Sequence, residues 1–324
     1  MMCQPKKPNI PSQLALELES FETYLDDAYP GGSFVADLAR DMILSGGKRL
    51  RPALTIAAAM TGNYKQENVF PVAAAVESLH TATLAHDDVI DCAQTRRNQK
   101  TVFAEHGSHI AVYVGDYLLA RSLKILSKCD LPVQELSKMA DAVEQICVGD
   151  IAQYMGRSKI PGHRTYLKRI LGKTGILFAA ASSTGGFAGQ TDESVQKNLW
   201  HFGMRFGAAF QIRDDLLDLD EADENAGKPI GRDLLDGIVT LPILLMAAQA
   251  DFRLMLERYL DGSRSEKDAK ELVELARKNG SVQQSKRILN KYLDRCHSIL
   301  AQLPESCGRD YLAEMTELLR LKES

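Results

Sequence analysis

Three aspartates at 87, 88 and 91, and three more at 214, 215 and 218, are the residues whose types and spacing could do chemistry in this chain. On an α-helix, positions i and i+4 share a face and i+3 lies close by. Asp87 and Asp91 therefore point the same way, with Asp88 beside them. The run leading into them, Leu79, Thr81, Ala82, Thr83, Leu84 and Ala85, reads as core. Carboxylates crowded at ~4 Å in a partly buried site repel by about 4 kcal/mol per pair at an effective dielectric of ~20. A cation must offset that. Carboxylates without neighbouring thiols or a histidine cluster suit a hard ion such as Mg²⁺.

One such run alone reads more simply as a solvated helix face. The second run, FQIRDDLLDLD over 210–220, repeats the spacing among Phe210, Ile212, Leu216, Leu217 and Leu219. Two acidic triads on two apolar helices make poor surface decoration. The expectation is that they face each other across a cavity and hold Mg²⁺ between them. Mg²⁺ keeps waters and takes phosphate oxygens as partners, so the expected ligand is a phosphate or diphosphate.

A diphosphate also needs fixed cations, and they occur in four places. Lys48 and Arg51 lie in the GGKRLRP loop, Arg96 and Arg97 follow the first acidic run, Lys173 precedes the hydroxyl donor Thr174, and Lys228 lies in a charged loop over 220–233. Arginine grips phosphate oxygens with a planar fork and lysine acts as a point charge. Singly, each reads as a solvated surface cation; collectively they do not. Gly47 beside Lys48 would let backbone approach a ligand closely. His80 shares a helix face with Asp87 and reads equally as a core histidine or a ligand contact. Gln211, three residues before Asp214, is placed to bond a substrate or orient the carboxylates. His86 turns about 100° away from Asp87 and receives no role.

The elements that must position these groups are helical throughout. Apolar residues follow the 3.6 period from Leu14 to Leu25, and Ser33 caps a helix of about ten residues that Gly46 and Gly47 end. Further helices are expected over 53–60, 69–91, 109–126, 133–155, 166–188, 200–219 and 240–250. Three more follow, the first capped by Ser265, the second running from Ser281 to about Leu303, the last spanning about 309–322. Residues 92–101 read as a basic loop and 220–233 as a lid-like loop. No alternating β pattern and no hairpin of two strands is evident. The class is all-α, with a disordered N-terminus over 1–12 and one helical domain over 13–324, a bundle around a central apolar cavity.

Composition narrows the function. The chain has 324 residues and a net charge of −4, which argues against a nucleic-acid partner. Six scattered cysteines without a CxxC suit a reducing, cytoplasmic setting. The polar, proline-rich start has no signal-peptide core, and no apolar run reaches the roughly 18 residues of a membrane span.

In this order, GGKRLRP, DDxxD followed by RR, GDYLLAR, KT, QIxDDLLD and GKPIGxDL…TLP resemble the trans-prenyl diphosphate synthases over roughly residues 40–245. HDDVID, VGDYLLA and the TYLKRI–KT segment are most similar to long-chain members, above all the catalytic subunit of two-component heptaprenyl or hexaprenyl diphosphate synthases. The resemblance implies a Mg²⁺-dependent head-to-tail condensation of isopentenyl diphosphate onto an allylic diphosphate, farnesyl or geranyl, to an all-trans product. It implies roughly two or three Mg²⁺ ions per site, bridged by Asp87, Asp91 and Asp214, with Asp88, Asp215 and Asp218 in support. Arg96, Lys173, Thr174, Gln211 and Lys228 would complete the allylic site; Gly47, Lys48, Arg51, His80 and Arg97 would bind isopentenyl diphosphate. A homodimer, or a heterodimer with a small regulatory subunit, is implied too, with peripheral membrane contact at product release.

Product length should follow the depth of the cavity along the 69–91 helix. Short-chain relatives carry an aromatic floor near the fifth residue before the first aspartate; here Ala82 and Thr83 stand there. That removes the floor about 7.5 Å below the aspartates, at 1.5 Å per residue, and implies a product of about C30–C40. Two departures stand out. Asn98-Gln99-Lys100 replaces the usual Gly-Lys-Pro, and Ile238 stands where many members have lysine. The rival readings are a class I terpene cyclase, which would lack GGKRLRP and carry a different second metal motif, a regulatory partner subunit, which would tend to lose aspartates, and a helical scaffold.

Overall fold

The computed structural model describes residues 12–97, 99–219, 231–262 and 264–321. Among the described residues the chain is all-α apart from one pair of two-residue strands. It divides into two compact units.

The first unit comprises Met1–Ala140, Leu177–Trp200 and Leu300–Met315. Its helices begin with α1 (Ser12–Ala28), α2 (Phe34–Leu44), α3 (Leu50–Ala59), α4 (Gln66–Ile90) and α5 (Val102–Leu126). To these it adds the start of α6 (Val133–Met155), most of α8 (Ile176–Ala188), the start of α9 (Glu193–Leu217) and most of α15 (Cys307–Glu317). The Ser33 hydroxyl accepts from the Ala36 amide and fixes the start of α2 as its sequence requires. The alanine-rich α3 is buried almost all round. Gly185, Gly189 and Gly308 lie against its backbone with no room for a Cβ, which explains how helices can close on it from two elements. The side chains of α4 and α5 tie the two together: Ser78 Oγ donates to the Leu118 carbonyl at 2.8 Å and Ser122 Oγ to that of Ala75 at 3.0 Å. Hydroxyls answered by a neighbouring carbonyl permit close helix contact without a buried polar debt.

Between α4 and α5 the expected loop is in fact a small hairpin, β1 (Thr95–Arg96) paired antiparallel with β2 (Gln99–Lys100). Two residues per strand are too few to show an alternating pattern, and Arg97 turns the chain with a left-handed φ of 52°. Thr101 then caps α5, which starts before the expected His109 and is interrupted at Gly107 by φ 81°, ψ 172°.

The second unit comprises Asp141–Ile176, His201–Ile299 and Thr316–Ser324. It holds the rest of α6, then α7 (His163–Ile170), a π-helical turn over Leu171–Gly175, and the C-terminal part of α9. After α9 come α10 (Arg232–Leu235), α11 (Leu241–Met246), α12 (Ala250–Asp261), α13 (Glu266–Lys278) and α14 (Ser281–Leu300). The helix expected over 240–250 is shorter, α11 ending at Met246, and α12 is not among the expected helices; exposed Leu254 and Met255 blur its apolar period. The Ser265 cap of α13 is as expected, its hydroxyl accepting from Asp268. The loop expected over 220–233 and the loose segment expected over 1–12 fall almost wholly outside the described residues. Among the described residues, no helix is long and apolar enough to cross a membrane.

Candidate active site

Both acidic runs sit at the C-terminal ends of 25-residue helices, α4 and α9. Carbonyl groups accumulate there, and the macrodipole makes an anion unfavourable. Placing three aspartates at each such end is destabilising unless a cation answers them.

Within each run the second aspartate turns inward. Asp88 is 3% exposed, and its Oδ1 receives Arg96 through Nε at 2.9 Å and Nη2 at 2.8 Å. Asp215 is also 3% exposed; Tyr166 donates its hydroxyl to Oδ2 at 2.7 Å, the Leu241 amide to the same oxygen at 3.0 Å, and Gln211 Nε2 to Oδ1 at 3.2 Å. Burial pushes the Asp215 carboxyl up, opposed by those donors. Asp87 is half-buried, and Asp91 and Asp214 are exposed. The adjacent pair in each run thus divides the work: one carboxylate is committed to protein donors and orients its neighbours, and the other reaches the surface.

One cavity of the first unit, about 420 Å³, is lined by residues that include Arg49, Glu77, His80, Asp88, Arg96 and Arg97. Of the residues expected to bind a diphosphate, His80, Arg96 and Arg97 line it. Gly47 lies directly beside the Arg97 guanidinium, and Arg97 donates to the Gly46 carbonyl. Lys48 is exposed and is not among the lining residues. Arg51 is stacked on the Phe178 ring with its guanidinium carbon 4.4 Å from the centroid, and its buried Nε has no partner among the described residues. Burial lowers the Arg51 pKa to about 10, with Glu77 opposing. The His80 imidazole is held well below its usual range, first by burial and then by Arg51, Arg97, Arg96 and Arg49. It is neutral in this setting and can donate one N–H to an anion without adding charge. The lining carries Arg49, Arg96, Arg97 and Lys100 against Asp41, Glu77, Asp88 and Glu105, so its charges balance, and its guanidiniums present the forked donors that phosphate oxygens take.

Gly47 has φ 140°, and a Cβ there would strike the Arg97 guanidinium. Gly47→Ala should cost about 1–3 kcal/mol in stability and weaken inorganic pyrophosphate binding by displacing Arg97. Thermal unfolding and calorimetric titration check both.

In the second unit, Thr174 Oγ1 donates to Gln211 Oε1 at 2.9 Å, and Gln211 Nε2 reaches Asp214 Oδ2 at 3.4 Å as well as Asp215. Thr174, Gln211, Asp214 and Asp215 are therefore one connected set. Lys173 and Thr174 lie in the π-turn, a distortion that often marks functional positions. Lys173 Nζ pairs with Asp150 at 2.7 Å. Asp218 accepts backbone N–H groups from Arg232 and Asp233, yet its buried Oδ2 has no partner among the described residues. Its pKa is pushed up to about 6, mainly by burial and further by Asp215 and Asp214. Asp233 faces the same carboxylates and is raised well above the usual range, chiefly by burial.

A carboxyl whose folded pKa exceeds its ordinary value binds its proton more tightly in the folded state. The stability Asp218 carries when protonated is therefore present below about pH 4 and lost as pH rises through about 6. Metal-free protein should show that decline in chemical denaturation, and Asp218→Asn should flatten it.

Among the described residues, no three His, Cys, Asp or Glu side chains lie close enough together to hold a metal ion by themselves. The expected ligands Asp87 and Asp91 lie in the first unit and Asp214 in the second. Lys228 and Asn98 fall outside the described residues. Spacing alone missed Arg49, Glu77, Asp150, Tyr166 and Asp233. Glu77 carried a signal, being a lone carboxylate in the apolar run three residues before His80. Arg49, Tyr166 and Asp233 lie within GGKRLRP, TYLKRI and GKPIGxDL without a role assigned from spacing, and Asp150 is recognisable only by what it touches.

Comparison with known proteins follows the same lines. The Polyprenyl synthetase family model matches residues 33–276. Heptaprenyl diphosphate synthase component 2 of Bacillus subtilis is 32% identical over 305 residues, covering 94% of this chain and 86% of that protein. The crystal structure of heptaprenyl diphosphate synthase from Staphylococcus aureus superposes with a TM-score of 0.88 at 32% identity, covering 94% of this chain and 97% of that one. A polyprenyl synthase from Caulobacter crescentus, solved with calcium and isoprenyl diphosphate, has a TM-score of 0.88 at 30% identity and covers 99% of this chain and 100% of that one.

Proposed function

Because the chain belongs to the polyprenyl synthetase family, we propose that it is a long-chain trans-prenyl diphosphate synthase. It is a prenyltransferase that adds isopentenyl diphosphate head-to-tail to an allylic diphosphate, farnesyl or geranyl. The observation that carries this reading is the cavity of the first unit, where His80, Arg96 and Arg97 line a space of about 420 Å³ beside Asp88. Isopentenyl diphosphate is assigned to Gly47, Lys48, Arg51, His80 and Arg97. The allylic diphosphate is assigned to Arg96, Lys173, Thr174, Gln211 and Lys228, together with the exposed aspartates of both runs.

The donor set fits Mg²⁺. It offers only carboxylate oxygens, sits at two helix C-termini, and leaves a buried Asp218 oxygen without a partner among the described residues. Asp87, Asp91 and Asp214 would hold the ions, and diphosphate oxygens and waters would complete their coordination. When bound, Mg²⁺ neutralises charge on the diphosphate. The remaining work falls to the chain. Arg96, paired with Asp88, and Lys173, paired with Asp150, are the cations assigned to the leaving group's oxygens. The allylic C–O bond breaks, the isopentenyl C=C attacks the freed carbon, and a proton is lost to leave a trans double bond. Preorganised charge is the main catalytic contribution, and apolar walls keep water from the cation.

The name of the Bacillus relative supports a two-component enzyme, with this chain as the catalytic component and a small regulatory subunit beside it. A homodimer is the other assembly this reading admits. We place the enzyme in the cytoplasm, with peripheral membrane contact as its apolar product leaves. The free thiols of the described residues accord with a reducing compartment.

The deciding experiment incubates the pure protein with Mg²⁺, farnesyl diphosphate and labelled isopentenyl diphosphate and sizes the products. All-trans products of about C30–C40 are expected from the small residues at 82 and 83. Product only after a partner subunit is added identifies a two-component enzyme. A cyclic hydrocarbon would instead establish a terpene cyclase, and no condensation under either condition would reject the proposal.

A further inference from the structure

Arg49 lies inside the GGKRLRP loop between the two cations assigned to substrate, yet it is 7% exposed. Its guanidinium is fully engaged by protein. Nε and Nη2 grip both carboxylate oxygens of Glu22 on α1 at 2.6 and 3.0 Å, Nη1 meets Glu77 Oε1 on α4 at 2.8 Å, and Nη2 also reaches the Ile43 carbonyl on α2 at 2.8 Å. The planar fork can satisfy three elements at once, whereas a lysine ammonium cannot reproduce that geometry.

The backbone it anchors is strained. Gly46, Gly47 and Arg49 have φ of 81°, 140° and 45°. Only glycine adopts such values freely; a residue with a side chain does so where its surroundings compel it. At Arg49 the compelling contacts are those to Glu22, Glu77 and Ile43. The next helical turn carries Arg51, and the loop's outer side meets Arg97 at Gly46 and Gly47. Glu77 also stands one turn before His80 and attracts Arg51 and Arg97. The clamp therefore stands at the wall of the cavity with its own charges already paired, beside Arg51 and Arg97.

Resting on the reading above, we propose that Arg49, held by Glu22 and Glu77, is a positioning residue that sets the diphosphate cradle for isopentenyl diphosphate and not for the allylic substrate. The test compares wild type, Arg49→Lys and Glu22→Gln as full-length chains. Initial rates are taken against each substrate in turn with the other saturating, in the presence of the partner subunit if wild type requires it. Arg49→Lys should raise KM for isopentenyl diphosphate by about 10- to 100-fold, the scale of a misplaced binding group. Glu22→Gln, remote from substrate, should raise it less but in the same direction, while kcat and KM for the allylic substrate stay within about threefold. The double variant should be no worse than Arg49→Lys, since both break one clamp. A lowered melting temperature with both KM values unchanged would mean a purely structural role and overturn the proposal. If Arg49→Lys does not fold, an unchanged KM in Glu22→Gln overturns it alone. If wild type condenses nothing, the functional reading fails instead, and inorganic pyrophosphate titrated into wild type and Glu22→Gln then decides: equal affinity ends the proposal.

Discussion

Asp87→Ala and Asp214→Ala should each reduce condensation by roughly 10²–10³-fold or more, the loss seen when one preorganised contact to a developing anion is removed. Both aspartates belong to the outward member of an adjacent pair, Asp87 half-buried and Asp214 exposed. Their loss should raise the Mg²⁺ concentration needed for half-maximal rate while leaving the melting temperature near that of wild type. The inward members should behave differently. Asp88→Asn breaks the ion pair with Arg96, and Asp215→Asn disturbs donors from Tyr166, Leu241 and Gln211. Those variants should lose stability by about 1–3 kcal/mol and lose activity through misplacement of Arg96 or Gln211. Steady-state rates at graded Mg²⁺, set beside thermal unfolding, separate the two classes. Wild-type elongation in either alanine variant would remove the triads from the mechanism.

Ala82→Phe should shorten the products to about C15–C20, because the ring would close the shaft about 7.5 Å below the aspartates. The structure adds a second consequence. Ala82 is 3% exposed and shares a stripe of α4 with Ser78, which bonds the Leu118 carbonyl, and with His86, which lies 3.3 Å from Asp116. Both partners belong to α5. A phenylalanine on that stripe must push against α5 and should cost about 1–3 kcal/mol in stability. Thr83, whose hydroxyl bonds the His80 carbonyl, lies one position further round the helix and is half-buried. Chromatography of labelled products, run beside thermal denaturation, reports both effects. Unchanged chain length in a folded Ala82→Phe enzyme would reject the floor.

Much of this was readable before any coordinates. The two aspartate triads, the GGKRLRP loop and the KT pair are local patterns, and each occupies one turn of helix or one loop. The 3.6-residue period placed most helices because an amphipathic helix writes its buried face into consecutive residues. Its failures are instructive. The two-residue strands at 95–96 and 99–100 are too short to carry a period, and the π-turn at 171–175 adds one residue to a helix without changing its composition. The helix expected from His109 begins earlier, at Val102, and Gly107 breaks that added N-terminal stretch.

The sequence by itself determined that this chain is helical, that it carries two carboxylate triads at the ends of long helices, and which family those motifs resemble. Tertiary structure alone decided which carboxylate of each pair faces inward, that Arg49 is consumed by Glu22 and Glu77 rather than offered to substrate, and that Lys173 is paired with Asp150. The physical reason is range. Helix periodicity and motif spacing act over a few residues, whereas the burial and pairing of a charge depend on side chains brought from far along the chain, 27 residues away for Glu22 and Arg49 and 49 for Tyr166 and Asp215.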